Sequence, residues 1–333
     1  MNITILGSGT WGLALARVLS LNRHHVTVWS KFEEESERLS LTRKSPNLPE
    51  MVIPDAVTIT SDSSSVLSGA GFVIVAVPSV YVRETIRSFV PHIHCNPVWI
   101  NASKGIEKDS GMILTDVIRE ELEAGGILNA RITAISGPTH AEEVAMDLPT
   151  LIVAAGSEKD AQQVQGLFEG TCIRPYTNPD LRGVQICGAL KNVEALAVGI
   201  AKGLGYGDNT SAAMITRGME EIRRLGLAMG CQERTFFGLA GIGDLIVTAT
   251  SSHSRNNRCG ILLGQGVPVQ EAVRRIGMVV EGLNALPAAV SLCRQYHMEM
   301  PLIEGVRRIV EENADPAEIV RDLMGRSLKK EIS

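Results

Sequence analysis

The chain begins Met1-Asn2-Ile3-Thr4-Ile5-Leu6-Gly7-Ser8-Gly9-Thr10-Trp11-Gly12-Leu13-Ala14, and the reading of this stretch decides the fold. A short β-branched run at 3–6 leads directly into G-x-G-x-x-G. A segment with helical spacing follows, with Leu13, Ala14, Val18 and Leu21 on one side. An isolated glycine motif says little, but strand, glycine turn and helix in that order mark a dinucleotide-binding βα unit. Gly7 permits the tight turn, Gly9 lets backbone approach a pyrophosphate, and Gly12 lets helix pack on strand. The helix N-terminus offers donors and partial positive charge to the phosphates.

The same alternation continues. Apolar runs at 26–29, 57–60, 72–77, 98–101 and 132–136 are separated mostly by helical or loop segments, and runs at 151–155 and 172–176 extend the series. Short buried strands alternating with helices predict a doubly wound, mostly parallel sheet covered on both faces. After about Leu181 the strand signals stop. Helical patterns take over at 184–201, 210–229, 233–239, 269–276, 282–296, 303–312 and 316–324. The expectation is an α/β chain: a Rossmann-like dinucleotide-binding domain over 1–180 and an all-helical substrate-binding and catalytic domain over 181–333. The Lys/Glu-rich tail from Lys329 is expected to fray.

Composition narrows the function classes. At 44% hydrophobic and 21% charged residues the chain is an ordinary globular protein. A net charge of −5 and only 4% aromatics argue against a nucleic-acid partner. The six cysteines include no CxxC pair, which fits reduced thiols in a cytoplasmic protein and excludes the usual zinc spacings. His92 and His94 beside Cys95 have no further ligand cluster nearby, so no metal is expected. No signal peptide precedes the first strand, and no membrane span is expected; the run at 184–201 comes nearest but carries Lys191, Glu194 and glycines.

Several segments carry chemistry. The second strand ends in Trp29-Ser30-Lys31, where an NAD site usually has an acid for the ribose hydroxyls. A hydroxyl and an ammonium there suit a 2′-phosphate, so NADP(H) is favoured; the acidic run 33–35 leaves NAD(H) as the alternative. Lys104, in Asn101-Ala102-Ser103-Lys104-Gly105, and Ser136-Gly137-Pro138-Thr139 both follow strands, at the edge where such sheets bind ligands. Thr139-x-x-Glu142 is a capping-box pattern. Gly241-Ile242-Gly243-Asp244 is a glycine-rich turn with a single acid, and the polar stretch 248–258 holds Ser254, Arg255 and Asn256. Arg255 with Asn256 offers a multi-donor grip on phosphate, or simply a solvated loop. Gly188-Ala189-Leu190-Lys191-Asn192 puts a lysine into an apolar run. Periodicity alone allows an exposed Lys191–Glu194 pair at i, i+3, or a buried lysine with a task.

Taken together, GSGTWG at 7–12, VAVPS at 75–79, ASKGIE at 102–107, SGPTHAEEV at 136–144, GALKN at 188–192, GLAGIGDL at 238–245, SRNNR at 254–258 and VVEG at 279–282 resemble bacterial NAD(P)-dependent glycerol-3-phosphate dehydrogenase over essentially the whole chain. The resemblance implies a cleft between the two domains. It also implies reversible reduction of dihydroxyacetone phosphate to sn-glycerol 3-phosphate for phospholipid synthesis, and a homodimer. Carried over by motif, Gly7, Gly9, Thr10, Trp11, Gly12, Lys31, Ala141, Val279 and Glu281 would hold the coenzyme, with Lys104 and Arg255 touching both coenzyme and substrate. Gly137, Thr139, Asn192, Asp244, Ser254 and Asn256 would line the substrate site, and Lys191 would be proton donor and acceptor. Burial and Lys104 would lower the Lys191 pKa, and Asp244 would oppose them. His140 and Ala249 depart from the commoner pattern; His140 is expected to pack beside the site. The rival readings are a hydroxy-acid or ketol-acid reductase, which lacks the SRNNR segment, and a non-catalytic coenzyme sensor, which would not need both lysines.

Overall fold

The computed structural model describes residues 1–328 and Lys330; apart from Lys330, the tail expected to fray lies outside the described residues. The strands are β1 Asn2–Leu6, β2 His25–Trp29, β3 Lys44–Ser45, β4 Leu48–Val52, β5 Thr58–Thr60, β6 Phe72–Val75, β7 Val98–Asn101, β8 Arg131–Ser136, β9 Thr150–Ala155 and β10 Ile173–Asn178. Between them lie α1 Thr10–Leu21, α2 Glu33–Thr42, α3 Val82–Phe89, α4 Leu114–Ala124, α5 Ala141–Ala145 and α6 Glu158–Leu167. The remainder is helical: α7 Leu181–Gly203, α8 Asp208–Ala228, α9 Glu233–Phe236, α10 Asp244–Thr250, α11 Arg255–Gly264, α12 Val269–Ile276, α13 Glu281–Gln295, α14 Pro301–Glu311 and α15 Pro316–Met324.

Eight strands form one sheet in the order β10-β9-β8-β7-β6-β1-β2-β5, parallel except for the β8–β9 pair. The chain builds β2 and β5 on one side of β1, then returns to lay β6 and β7 on the other. That reversal opens a crevice beyond the C-terminal ends of β1 and β6, where open α/β sheets bind ligands. Both faces are covered, as the continuous apolar strands require. Leu13, Leu15 and Leu19 of α1 pack on one face; Ile86 and Phe89 of α3 and Val117, Ile118 and Leu122 of α4 pack on the other. The β3–β4 hairpin and the antiparallel setting of β9 were not legible in the sequence pattern.

The helical half is built around α7. Asp180 caps it, accepting from the N–H of Gly183 at 2.9 Å and of Gln232 at 2.8 Å. Gln185 ties it to the sheet half, accepting from Asn101 Nδ2 and donating to Thr115 Oγ1. The helix is long and apolar enough to cross a membrane, yet its most apolar stretch is wholly buried within the fold. It is a core helix, enclosed by α8, α10, α11, α13 and α14. The exposed-pair reading of Lys191 and Glu194 is therefore wrong: they are 5% and 1% exposed. Glu194 turns to α8, where the missing side chain of Gly218 makes room for it. Neither of its oxygens has a hydrogen-bond partner among the described residues. Burial, with Glu221 beside it, pushes its carboxyl well above the usual range.

The stretch 248–258 is not a solvated loop but the end of α10, a short link and the start of α11. Helix α11 lies backbone-to-backbone against α7. A Cβ on Gly199 would stand 2.2 Å from Asn257 O, and one on Gly260 2.2 Å from Leu196 O. Gly203 and Gly264 repeat the contact one turn on. These glycines fix where the N-terminus of α11 meets the middle of α7. Gly260→Ala is expected to cost about 1–3 kcal/mol in denaturant unfolding, because the obstacle is backbone. Gly166→Ala on α6, with open space around it, should be neutral or slightly stabilising. Equal effects would show that the helix contact is looser than described.

Candidate active site

Three segments meet at the C-terminal edge of the sheet. The first is the glycine turn. Gly7 has φ +122°, and a Cβ there would lie 2.8 Å from the carbonyl carbon and oxygen of Ala76. A Cβ on Gly12 would strike Gly7 O at 2.1 Å. Gly9, by contrast, faces open space and caps α1 without any side-chain bond. The first N–H groups of α1 are thus offered to whatever approaches, and the cradle fits a dinucleotide pyrophosphate. Thr10 and Trp11, on the first turn, are half-buried beside it.

The second segment is the loop after β7. Lys104 Nζ donates to Gly137 O at 2.8 Å, Thr139 Oγ1 at 3.1 Å and Asp244 Oδ2 at 2.7 Å. Gly137 has φ +144°, with the β9 backbone pressed against the place of its Cβ, so the loop after β8 can turn its carbonyl to the lysine. Gly188 of α7 lets the Lys104 stem pass, since a Cβ there would meet Ser136 Oγ at 3.0 Å and Lys104 Cγ at 3.6 Å. The capping-box expectation fails here. His140 takes the N-cap place of α5 without a side-chain bond, and the Thr139 hydroxyl donates to Gly137 O instead. Ala141 opens α5 and is buried.

The third segment is the helical half. A bend at Gly241 delivers Asp244, 1% exposed, as the first residue of α10. Its Oδ1 accepts from Lys191 Nζ at 2.6 Å while Oδ2 accepts from Lys104. One buried carboxylate therefore holds two ammonium groups, one from each half of the chain. Burial lowers the Lys191 pKa to about 7. Asp244 works against that shift and Lys104 adds to it. Thr248, one turn beyond Asp244, accepts from Lys191 Nζ at 2.5 Å and donates to Asp244 O at 2.7 Å. It lies in the polar stretch but carries no role by sequence; its i, i+4 spacing from Asp244 was the available signal.

Around this core the other residues divide. Asn256 Nδ2 donates to Asn192 Oδ1 at 2.9 Å, and Asn256 Oδ1 accepts from Gly282 N at 2.9 Å. Each end of the Asn256 amide thus makes one positioning bond, which leaves its second Nδ2 hydrogen and its backbone N–H for a phosphate. Ser254 caps α11, accepting from Asn257 N. Arg255, the first residue of α11, has no carboxylate within ion-pair distance among the described residues. Burial lowers its pKa, opposed by Glu281 and Glu142. Glu281 reaches across to the loop after β6, accepting from Ser79 Oγ at 2.5 Å and Ser79 N at 3.1 Å. Val279, just before α13, is 37% exposed. Lys31 stands apart: exposed, it is drawn to Glu84 at 2.8 Å.

His140 lies beside these residues. Its Nε2 and Ser136 Oγ are buried polar atoms without a hydrogen-bond partner among the described residues, and its ring lies 5.9 Å from that of His253. Burial lowers its pKa, and Lys191 and Lys104 contribute in the same direction against Glu142 and Glu143. Among the described residues no group of three His, Cys, Asp or Glu could hold a metal. The arrangement suits an anionic organic substrate: two ammonium groups converge on one carboxylate, near the sheet edge that carries the glycine turn.

Comparison with known proteins agrees with this geometry. The family described as NAD-dependent glycerol-3-phosphate dehydrogenase matches through its N-terminal part at residues 2–162 and its C-terminal part at residues 180–321. A glycerol-3-phosphate dehydrogenase [NAD(P)+] of Lactobacillus delbrueckii subsp. bulgaricus is 50% identical over 333 residues, with 99% of each chain covered. One from Fusobacterium nucleatum is 44% identical, covering 100% of this chain and 99% of its own. The crystal structure of glycerol-3-phosphate dehydrogenase from Coxiella burnetii superposes with a TM-score of 0.93 at 35% identity, covering 98% of this chain and 99% of that one. By sequence and by fold, this chain belongs to the family of NAD(P)-dependent glycerol-3-phosphate dehydrogenases.

Proposed function

We propose that the chain interconverts dihydroxyacetone phosphate and sn-glycerol 3-phosphate, with residues 1–180 binding the coenzyme and 181–333 supplying most of the substrate site. The observation that carries this reading is the Lys104–Asp244–Lys191 bridge at the mouth of the dinucleotide crevice. A bound nicotinamide coenzyme supplies or accepts the hydride at the substrate's C2. Lys191 then protonates the C2 oxygen during reduction and takes that proton back during oxidation. A lysine near pH 7 suits both directions, whereas an ordinary one holds its proton too firmly. Asp244 and Thr248 aim its ammonium, and Lys104 adds positive charge where the oxyanion grows.

Arg255 and the free N–H groups at the start of α11 would hold the substrate phosphate, fixing the far end of a small molecule so that C2 is oriented. The cytoplasmic setting, the homodimer and the link to phospholipid synthesis belong to the same proposal. The favoured coenzyme, NADP(H), rests on Ser30 and Lys31 meeting a 2′-phosphate. NAD(H) is the alternative, and the bonds that Ser30 and Lys31 make, to Glu35 and Glu84, support it.

Lys191→Ala should lower kcat by about 10²–10⁴-fold while coenzyme binding, followed by fluorescence, survives; near-normal turnover sinks the assignment. Arg255→Ala should raise the KM for dihydroxyacetone phosphate by about 10–100-fold, and an unchanged KM excludes its phosphate role. The pH profile of kcat/KM carries a signed expectation. Reduction needs the ammonium form of Lys191, so it should decline above an inflection near 7, while oxidation rises. Asp244→Asn removes the group that raises this pKa, so the inflection should move lower. An inflection at the ordinary lysine value of about 10.4 would show that Lys191 is not the titrating donor.

A further inference from the structure

At the end of β2 the expected acid is missing from the sequence but present in space. Glu35, in the first turn of α2, reaches back so that one oxygen, Oε2, accepts from Ser8 Oγ at 2.5 Å and from Ser30 Oγ at 2.6 Å. Ser8 belongs to the glycine turn, and Ser30 is the first residue after β2. The two segments are themselves joined by Gly7 N donating to Trp29 O at 2.9 Å. The carboxylate therefore spans the gap between turn and strand end, where a Rossmann site meets the adenosine ribose. Among the described residues its other oxygen, Oε1, accepts no hydrogen bond and has the Arg38 guanidinium at 3.9 Å. The side chain is 35% exposed, which leaves that oxygen open to a ligand.

We infer that Glu35 is the residue that sets coenzyme specificity, selecting the 2′-hydroxyl of NAD(H) over the 2′-phosphate of NADP(H). A carboxylate accepts hydrogen bonds from a ribose diol. A phosphate dianion brought to the same place meets like charge at hydrogen-bond distance. Of the two positive side chains nearby, Lys31 Nζ pairs with Glu84 and lies 5.9 Å from the centre of the Tyr81 ring, and Arg38 is drawn to Glu35 itself at 3.9 Å. Ser30, whose hydroxyl would serve a phosphate, already donates to the carboxylate. The inference rests on the coenzyme half of the proposed function and not on the identity of the substrate.

The test compares NADH and NADPH on the intact protein, by fluorescence titration without substrate and by steady-state reduction of dihydroxyacetone phosphate. The unaltered chain should bind NADH at least about tenfold more tightly than NADPH. Glu35→Gln should narrow that ratio by about tenfold, mainly by improving NADPH binding, and Glu35→Asp, which keeps the charge, should retain a preference for NADH. Both coenzymes are titrated on the same sample, so a partly unfolded variant still reports the ratio. A native preference for NADPH, a ratio unmoved by Glu35→Gln, or the same shift in Asp and Gln overturns the inference. Turnover of dihydroxyacetone phosphate with an unmoved ratio defeats this inference alone; the expected binding ratios without turnover defeat the substrate reading alone.

Discussion

The structure depends on one carboxylate shared by two ammonium groups. Asp244, Lys104 and Lys191 come from three distant parts of the chain, and two of them are buried. Isolated, any of these charges would be costly in such a place. Together they leave one net positive charge where both oxygens of the acid are already engaged. That residual charge is what an anionic substrate would meet. It also explains why Lys191 can be buried and still hold a proton: Asp244 keeps its pKa from falling further. Because Lys104 belongs to the sheet half and Asp244 to the helical half, the same bond that prepares the chemistry also joins the two.

The surrounding packing serves that bridge. Side-chain-free contact between α7 and α11 brings Asn256 to Asn192 and sets Arg255 within the influence of the Glu281 and Glu142 charges. Asn256 then binds the N–H of Gly282, and a Cβ on Gly282 would lie 2.5 Å from Asn192 O, so the start of α13 is pinned to α7 as well. Glu281 follows from that placement and reaches Ser79 on the sheet half. The cleft is thus spanned twice, by Lys104–Asp244 and by Ser79–Glu281. Asn256, expected to line the substrate site, thereby also holds its neighbours in place.

Much of this was legible in the sequence, for identifiable reasons. The glycine turn carries its own context, since a strand before it and a helix after it leave few alternatives. Lys104, Gly137, Thr139, Lys191 and Asp244 were found by motif, and the fold brings all five within one bonded cluster. What failed was local pattern. The stretch 248–258 reads as a polar loop because the early residues of α11 include Asn256, which bonds Asn192, while the glycines that pack α11 on α7 carry no apolar signal. The β3–β4 hairpin has too few residues to show a period. Thr139 fits a capping box, but a lysine from the loop after β7 claims its hydroxyl. Glu194, three places beyond Lys191, looks like its partner; the helix is buried all round, so the two point to different neighbours.

The coenzyme site shows the same limit in its sharpest form. The usual rule looks for an acid at the end of the second strand, and by that rule Ser30 and Lys31 point to a phosphate. The rule concerns position in space, which sequence spacing only approximates. A helix that begins at Glu33 places its third residue back over the strand end, and a glutamate there is long enough to bridge to Ser8. Ser30, which seemed to replace the acid, is with Ser8 a donor that holds it. A lysine one place from the strand end can be drawn away by a neighbour such as Glu84 without strain, because both side chains are exposed. The carboxylate, partly buried and held by two hydroxyls, is the fixed group on which the inferred choice of a ribose hydroxyl rests.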